Sequence, residues 1–266
     1  MIGLQLQTEQ LTLNYGEQHI IDNLSFEIPL HKITVLVGAN GSGKSTLLRS
    51  MARLLKPSSG HVLLDDQSLQ SISTKEIAKK LAILPQGPIA PEGLTVQQLV
   101  KQGRYPHQRW YQQWSGEDEH IVEQAMSATQ LLLFKNRPLE QLSGGQRQRA
   151  WIAMTLAQET PILLLDEPTT YLDMAHQIEL LDFLFELNRT KNRTIVMVLH
   201  DLNLACRYAD HLVAIHNKTI ATQGKPEHIV TSEMVQEVFG MAAIIHEDPF
   251  FGTPLCIPKG KGRRIK

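Results

Sequence analysis

The chain contains 266 residues, of which 42% are hydrophobic and 20% are charged. This composition is typical of globular proteins and excludes a wholly disordered chain. The 26 basic and 27 acidic side chains give a formal net charge of −1. Proteins that wrap nucleic acid usually carry a basic excess, so we predict no nucleic-acid partner.

Targeting signals are also missing from the sequence. The first ten residues lack the basic and apolar regions of a secretory signal, and no apolar stretch reaches the roughly 20 residues that span a bilayer. The two cysteines, Cys206 and Cys256, suit neither a disulfide framework nor a zinc motif. We therefore expect a protein of the reducing cytosol that reaches a membrane only through a partner.

Hydrophobic spacing predicts strands that alternate with helices. Apolar residues two apart over about the first thirty positions predict half-buried antiparallel strands. Buried strands are predicted over residues 33–37, 162–165, 194–199 and 211–215, and helices over 44–55, 174–187 and 201–208. This order predicts an α/β fold with a parallel sheet and an antiparallel β portion at the N-terminus.

The middle of the chain has a different pattern. Residues 95–157 carry helix signals only, and Ser115 with Asp118 fits a capping box. We predict a single domain over 1–266, made of an α/β core, a helical insertion and a tail, with these bounds: core 1–94 and 158–245, insertion 95–157, tail 246–266. The last eight residues hold five basic side chains, which predicts either a solvated tail or a surface for an anionic lipid or partner.

One glycine-rich loop predicts a nucleotide site. Residues 38–45, GANGSGKS, match G-x-x-x-x-G-K-[ST] between a buried strand and a helix. Glycines let backbone N–H groups converge on phosphate oxygens, and the helix N-terminus adds partial positive charge. We expect Lys44 on the β- and γ-phosphates and the Ser45 hydroxyl on Mg²⁺. The predicted nucleotide-binding residues of this loop are Gly38, Asn40, Gly41, Ser42, Gly43, Lys44, Ser45 and Thr46.

Two carboxylates follow the apolar strand 162–165. We expect Asp166 to lie beside the phosphate loop and orient Mg²⁺ through a water molecule. We expect Glu167 to polarise the water that attacks the γ-phosphate. Taken alone, the pair could also be an acidic turn after a strand. Its position in a chain with a phosphate loop favours the catalytic role.

A second anion site is predicted at the sequence LSGGQ, residues 142–146, which precedes a helical run over 147–157. A serine hydroxyl and two glycine N–H groups at a helix N-terminus form such a site. A chain with one nucleotide loop and two phosphate-binding helix ends needs an explanation. The simplest one is that the second helix end contacts ATP held by another subunit.

These motifs, in this order, resemble the nucleotide-binding subunit of an ATP-binding-cassette (ABC) transporter, whose signature sequence is LSGGQ. The resemblance covers essentially the whole chain and implies a P-loop NTPase core of the ABC type that binds ATP and Mg²⁺ and hydrolyses ATP. It also implies a head-to-tail homodimer with two ATP molecules in the seam. The residues that would contact the partner's ATP are Ser143, Gly144, Gly145 and Gln146.

The resemblance assigns roles to four further residues. Tyr15 matches the aromatic residue that stacks on adenine, and His200 matches the switch histidine at the γ-phosphate. Gln86 matches the Q-loop glutamine, which contacts Mg²⁺, the attacking water and the membrane subunit. Asp173 matches the D-loop aspartate at the dimer seam, although Tyr171 is larger than the family's residues there. From the residues alone, Tyr15, Gln86 and His200 could be a strand-end core residue, a loop residue and a helix start.

Four shorter segments resemble the ATPases of importers for iron complexes, meaning ferric siderophores, haem or cobalamin. They are residues 103–108, 174–177, 198–203 and 252–256. The ferric-siderophore branch matches best, although residues 103–107 could also be no more than a loop between helices. This resemblance implies permease subunits as partners, an extracytoplasmic binding protein as an indirect partner, and a peripheral position at the cytoplasmic face of the inner membrane.

Other classes of protein share part of this pattern. A soluble ABC ATPase of iron–sulfur cluster assembly has every nucleotide motif, but the importer-like segment 103–108 argues against it. Members that act in translation or DNA repair usually carry two cassettes, a long coiled-coil insertion or basic surfaces. A small-molecule kinase would explain the phosphate loop and leave residues 143–146 without a purpose.

Overall fold

The computed structural model of the chain describes residues 4–108 and 114–261. The last five residues of the predicted basic tail, 262–266, and residues 109–113 of the predicted insertion lie outside the described part. The strands are β1 (Leu6–Tyr15), β2 (Gln18–Glu27), β3 (Ile33–Val37), β4 (Ser59–Leu64), β5 (Gln67–Ser68), β6 (Leu81–Leu84), β7 (Ile162–Asp166), β8 (Thr194–Val198), β9 (His211–His216), β10 (Thr219–Gly224), β11 (Ala243–Glu247) and β12 (Pro254–Pro258). The α-helices are α1 (Lys44–Met51), α2 (Thr74–Lys80), α3 (Val96–Gln102), α4 (Gly116–Ala128), α5 (Gly144–Ala157), α6 (Met174–Lys191), α7 (Leu202–Tyr208), α8 (Pro226–Ile229) and α9 (Ser232–Phe239).

The central sheet has six strands in the order β10-β9-β3-β8-β7-β6. All neighbours pair in parallel except the edge strand β10, which pairs antiparallel to β9. Strands β3, β7 and β8 are buried along their whole length, as expected of strands covered on both faces. The predicted parallel α/β sheet is confirmed. The carboxyl ends of β3, β6, β7 and β8 therefore meet at one edge of this sheet.

A second sheet, in the order β2-β1-β4-β5, is antiparallel and supplies the predicted N-terminal β portion. Because side chains alternate along a strand, the central sheet contributes to two hydrophobic clusters. Leu36 of β3 packs with residues of the antiparallel sheet and α1, whereas Val35 and Val37 pack with the other helices. Helix α1 ends at Met51, short of the predicted residue 55, and the left-handed φ of 60° at Arg53 is incompatible with a helix that continues through that position.

Helices α3, α4 and α5 lie between β6 and β7 in the chain and pack on one another. The capping box at the start of α4 is confirmed, since the Ser115 hydroxyl accepts from the Asp118 N–H and the Asp118 carboxylate accepts from the Ser115 N–H. Buried Arg104 joins these helices, donating to Asp118 at 2.9 Å and to the Ala157 carbonyl at 2.8 Å. None of the helices in the described ranges is both long and apolar enough to cross a membrane.

The C-terminal hairpin of β11 and β12 was not predicted from the sequence. Its strands pair antiparallel, with Ile245 opposite Cys256, so ordered structure continues past residue 245, where the tail was expected to begin. The Asn203 side chain of α7 holds the hairpin, accepting from the Cys256 N–H at 2.7 Å and donating to the Cys256 carbonyl at 3.2 Å. Part of the expected tail is therefore docked on the core.

Candidate nucleotide-binding site

The loop between β3 and α1 has a backbone that only glycine adopts readily. Gly38, Gly41 and Gly43 have φ values of 148°, 78° and 102°. A Cβ at Gly38 would lie 2.3 Å from the carbonyl oxygen of Ile215, so that position also has no room for a side chain. The geometry is that of a concave nest of backbone N–H groups at the start of a helix.

Lys44 is the first residue of α1 and is only 5% exposed. Its Nζ donates to the carbonyls of Gly38 and Ala39, at 2.9 and 2.8 Å. Burial lowers the pKa of this ammonium, and the negative charges of Glu167 and Asp166 oppose that shift. The loop therefore encloses a cation whose present hydrogen-bond partners are neutral oxygens.

Asp166 ends β7 and is 1% exposed. The Ser45 hydroxyl donates to its Oδ1 at 2.7 Å, while Arg49 Nε stands 3.9 Å from Oδ2. Burial raises the pKa of Asp166, and the Ser45 hydrogen bond and Arg49 oppose this effect. Oδ2 is buried and has no hydrogen-bond partner among the residues that the structure describes. A hydroxyl beside an unsatisfied carboxylate oxygen is a donor set that suits Mg²⁺.

No group of three or more His, Cys, Asp or Glu side chains that could hold a metal ion occurs among the residues described. Proteins usually bind Mg²⁺ through one or two carboxylates together with substrate phosphates and water. Ser45 and Asp166 are the residues here that could hold it.

The Glu167 carboxylate contacts residues that follow the two strands beside its own strand. Its Oε2 accepts from Gln86 Nε2 at 2.8 Å and from Thr170 Oγ1 at 3.2 Å, and its Oε1 lies 2.7 Å from His200 Nε2. Gln86 follows β6, Glu167 follows β7 and His200 follows β8, so the parallel topology brings together residues 81 positions apart in the chain. Thr170 was not predicted from the sequence.

A cavity of about 510 Å³ covers this edge of the sheet. Nine of the predicted site residues line it, together with Gln18 and Ile20 of β2, which sequence reasoning missed. The predicted members are Asn40, Gly41, Gly43, Lys44, Ser45, Thr46, Gln86, Glu167 and His200. Tyr15 is 47% exposed and does not line the cavity, but it pairs directly with Gln18 across the β1–β2 hairpin.

The signature residues begin helix α5 at a separate place. Ser143 is the N-cap of α5, and its hydroxyl accepts from the Gln146 N–H at 3.2 Å while Gln146 Oε1 accepts from the Ser143 N–H at 3.1 Å. They line a second cavity of about 360 Å³ that shares no residue with the first. Its lining residues are Ser143, Gly144, Gly145, Gln146, Arg149, Tyr171, Leu172, Asp173 and His176.

Asp173 therefore lies beside the signature residues and away from Lys44. It caps α6 by accepting from the His176 N–H at 3.0 Å, and hydrogen bonds from His176 lower its pKa. Neighbouring Tyr171 is 75% exposed with a left-handed φ of 68°. The structure thus groups predicted residues around two cavities that share no lining residue. We call the cavity at Lys44 the first half-site and the cavity at Ser143 the second half-site.

Comparison with known proteins shows which family the chain resembles. A family model described as ABC transporter matches residues 21–170. The chain is 66% identical over 261 residues to the petrobactin import ATP-binding protein FpuD of Bacillus anthracis, covering 98% of this chain and 96% of that protein. It is 51% identical over 257 residues to the ferric enterobactin transport ATP-binding protein FepC of Escherichia coli (strain K12), covering 97% and 95%.

Solved structures agree with the sequence relatives. The chain of an inward-facing metal-chelate type ABC transporter superposes with a TM-score of 0.83 at 26% identity, covering 97% of this chain and 99% of that one. A dimeric bacterial ABC transporter cassette superposes with a TM-score of 0.75 at 29% identity, covering 83% and 98%. The protein belongs to the ABC transporter family. Within that family it is an ATPase subunit that binds and hydrolyses ATP.

Proposed function

We propose that this chain powers the import of a ferric siderophore through a membrane permease by hydrolysing ATP in the seam of a homodimer. The observation that carries the proposal is the convergence of the phosphate loop, Asp166, Glu167 and His200 at one sheet edge, with the signature residues in a separate half-site. The substrate class is supported by relatives that match nearly the full chain and are named for siderophore transport.

In the first half-site we assign Lys44 and the loop N–H groups to the β- and γ-phosphates. The Lys44 ammonium would exchange its two carbonyl partners for phosphate oxygens, which form stronger charge-assisted hydrogen bonds. Ser45 and Asp166 would hold Mg²⁺, with Gln86 beside it, and the ion when bound would neutralise charge on the phosphates. Tyr15 would stack on adenine at the margin of the cavity next to Gln18.

We assign Glu167 as the group that polarises the attacking water and His200 as a contact to the γ-phosphate. Both residues line the cavity, and Glu167 Oε1 lies 2.7 Å from His200 Nε2. Gln86 and Thr170 hold the carboxylate through the same oxygen, Oε2. Catalysis would then come from positioning and charge stabilisation, as expected for phosphoryl transfer.

The second half-site would complete the partner's first half-site. The N–H groups of Gly144 and Gly145 at the N-terminus of α5, with the Ser143 hydroxyl, form an anion site that no phosphate loop of the same chain reaches. Asp173 would lie at the seam because it lines the same cavity. Two copies arranged head to tail would give two composite ATP sites.

We further propose a peripheral position at the cytoplasmic face of the inner membrane, with permease subunits as direct partners and an extracytoplasmic binding protein acting through them. A cavity of about 350 Å³ beside α3, lined in part by Leu94, Gln98 and Tyr105, is the surface we assign to the permease. Tyr105 is 66% exposed there, so its side chain is accessible to a partner.

Uptake in cells tests the proposed substrate. A Lys44→Ala strain is expected to lose uptake of labelled ferric siderophore and to grow poorly under iron limitation, with recovery on excess free iron. The control is a strain that expresses the wild-type protein from the plasmid used for the variant. Normal uptake of every ferric siderophore tested, together with loss of haem or cobalamin uptake, would move the substrate to one of those importer classes. Normal uptake of all three compound classes would refute iron-complex import and leave the ATPase assignment in place.

A further inference from the structure

The segment that follows Glu167 is held by a glutamine of the signature helix. Nε2 of Gln148, in α5, donates to the Pro168 carbonyl at 3.1 Å. Gln148 is 7% exposed, so this hydrogen bond is shielded from water. Pro168 is the residue directly after Glu167. One buried side chain therefore connects the helix that begins at Ser143 to the backbone beside the carboxylate.

Gln148 also lies next to the segment that carries Gln86. It lines a cavity of about 300 Å³ together with Gly87 and Pro88, which follow Gln86 in the chain. Gln86 in turn donates to the Glu167 carboxylate at 2.8 Å. Helix α5 therefore faces the Gln86 segment across this cavity and is hydrogen-bonded to the Glu167 segment through the Gln148 amide.

The backbone at Glu167 needs such a restraint. Its φ of 53° lies in the left-handed region, which residues other than glycine rarely adopt, so surrounding contacts must hold it there. A hydrogen bond from the buried Gln148 amide to the adjacent carbonyl is a contact of this kind, since removing the donor leaves a buried carbonyl without that partner. A small change in this backbone would move the carboxylate relative to the attacking water.

We propose that Gln148 is a positioning residue for Glu167, which couples the orientation of the signature helix to the carboxylate of the same subunit. The inference rests on the proposed function, in which α5 contacts the partner's ATP while Glu167 acts on its own subunit's ATP. Movement of α5 when Ser143 and Gly145 engage the partner's nucleotide would pass through the Gln148–Pro168 hydrogen bond. Each ATP site would thereby sense whether the other is filled.

The test replaces Gln148 by methionine, which has a similar length, no branch and similar helix propensity but no N–H donor. The matched control is Gln158→Met, at the other end of α5, where Gln158 Nε2 donates to the carbonyls of Ala78 and Leu81 at 2.6 and 3.2 Å. Gln148→Met removes one side-chain hydrogen bond at the start of this helix, and Gln158→Met removes two at its C-cap. Gln148→Met is expected to lower kcat about tenfold with the KM and Kd for ATP within about twofold of wild type.

Gln158→Met is expected to keep kcat within about twofold of wild type, although both variants lower Tm by similar amounts. Gln148→His, whose ring offers an N–H donor at a similar reach, is expected to recover most of the lost kcat. A kcat for Gln148→Met equal to that of the Gln158→Met control would overturn the proposal.

A double variant tests whether Gln148 acts through Glu167. If it does, adding Gln148→Met to Glu167→Gln leaves the residual hydrolysis rate of Glu167→Gln unchanged, because groups that act as a unit are not additive. A further tenfold fall in the double variant would contradict the proposed route. Hydrolysis by Glu167→Gln alone tests the proposed function separately from the positioning role of Gln148. If its hydrolysis equals wild type, the proposed function of Glu167 fails and the positioning role fails with it.

Discussion

Replacing Glu167 by glutamine removes the proposed base while keeping the shape of the site. The amide oxygen of the variant can still accept the hydrogen bonds that Gln86 and Thr170 donate to Oε2 at 2.8 and 3.2 Å. What disappears is the negative charge next to His200 and in the field of Lys44. We expect hydrolysis to fall at least ~100-fold, which corresponds to about 2.7 kcal/mol of transition-state stabilisation.

ATP binding is expected to survive in this variant. The negative charge of Glu167 repels a polyphosphate, so removing this charge should strengthen ATP binding. Uncleaved ATP should then hold two copies together. Size-exclusion chromatography in ATP and Mg²⁺ is expected to show a dimer for Glu167→Gln and a shift to monomer when Mg²⁺ is chelated. A variant that stays monomeric in ATP and hydrolyses it at the wild-type rate would refute the assignment of Glu167.

Three further predictions test other parts of the structure. Gly38→Ala puts a Cβ 2.3 Å from the Ile215 carbonyl, so we expect a loss of about 3 kcal/mol in stability and of ATP binding; unchanged denaturant midpoints would contradict this geometry. Substitutions at Leu94 or Tyr105, both lining the surface assigned to the permease, should uncouple transport while basal ATP hydrolysis stays within about twofold of wild type; a parallel loss of hydrolysis would count against that surface. Burial raises the pKa of Cys206 to about 12, so the folded protein should resist a thiol reagent at neutral pH until it unfolds; rapid labelling of native Cys206 would contradict its burial.

Much of the site could be predicted because its residues stand in local patterns. The phosphate loop, the Asp166–Glu167 pair and the helix start at Ser143 each fit a short spacing with a physical reason. Their convergence also follows from sequence, since carboxyl ends of neighbouring parallel strands share one edge. This is why Gln86 and His200 reach Glu167 in the structure.

Other features depend on contacts between residues with no local signal. Gln18 and Ile20 line the nucleotide cavity because the β1–β2 hairpin packs beside the phosphate loop, and nothing in their spacing indicates this. The amide of Gln148 looks like any polar residue of a helix until Pro168 is placed against it. The β11–β12 hairpin depends on the Asn203 side chain, whose partner lies 53 positions away in the chain.

Mixed dimers test the composite ATP site most directly. Lys44→Ala damages the first half-site and Gly145→Asp the second. The fold should accept Gly145→Asp, because a Cβ there lies 3.1 Å from the end of the flexible Leu172 side chain and 3.9 Å from the Tyr171 carbonyl oxygen, so a small shift of Leu172 makes room for it. A dimer with one copy of each variant contains one intact composite site and one that is doubly damaged.

The measurement is ATP hydrolysis by an equimolar mixture of two variants that are each inactive alone. We expect recovery of up to about a quarter of wild-type activity, since half of the randomly formed dimers carry one intact site of two. We also expect monomeric Gly145→Asp to bind ATP as tightly as wild type. A mixture no more active than its components, or a Gly145→Asp monomer that has lost ATP affinity, would contradict catalysis in sites shared between two copies.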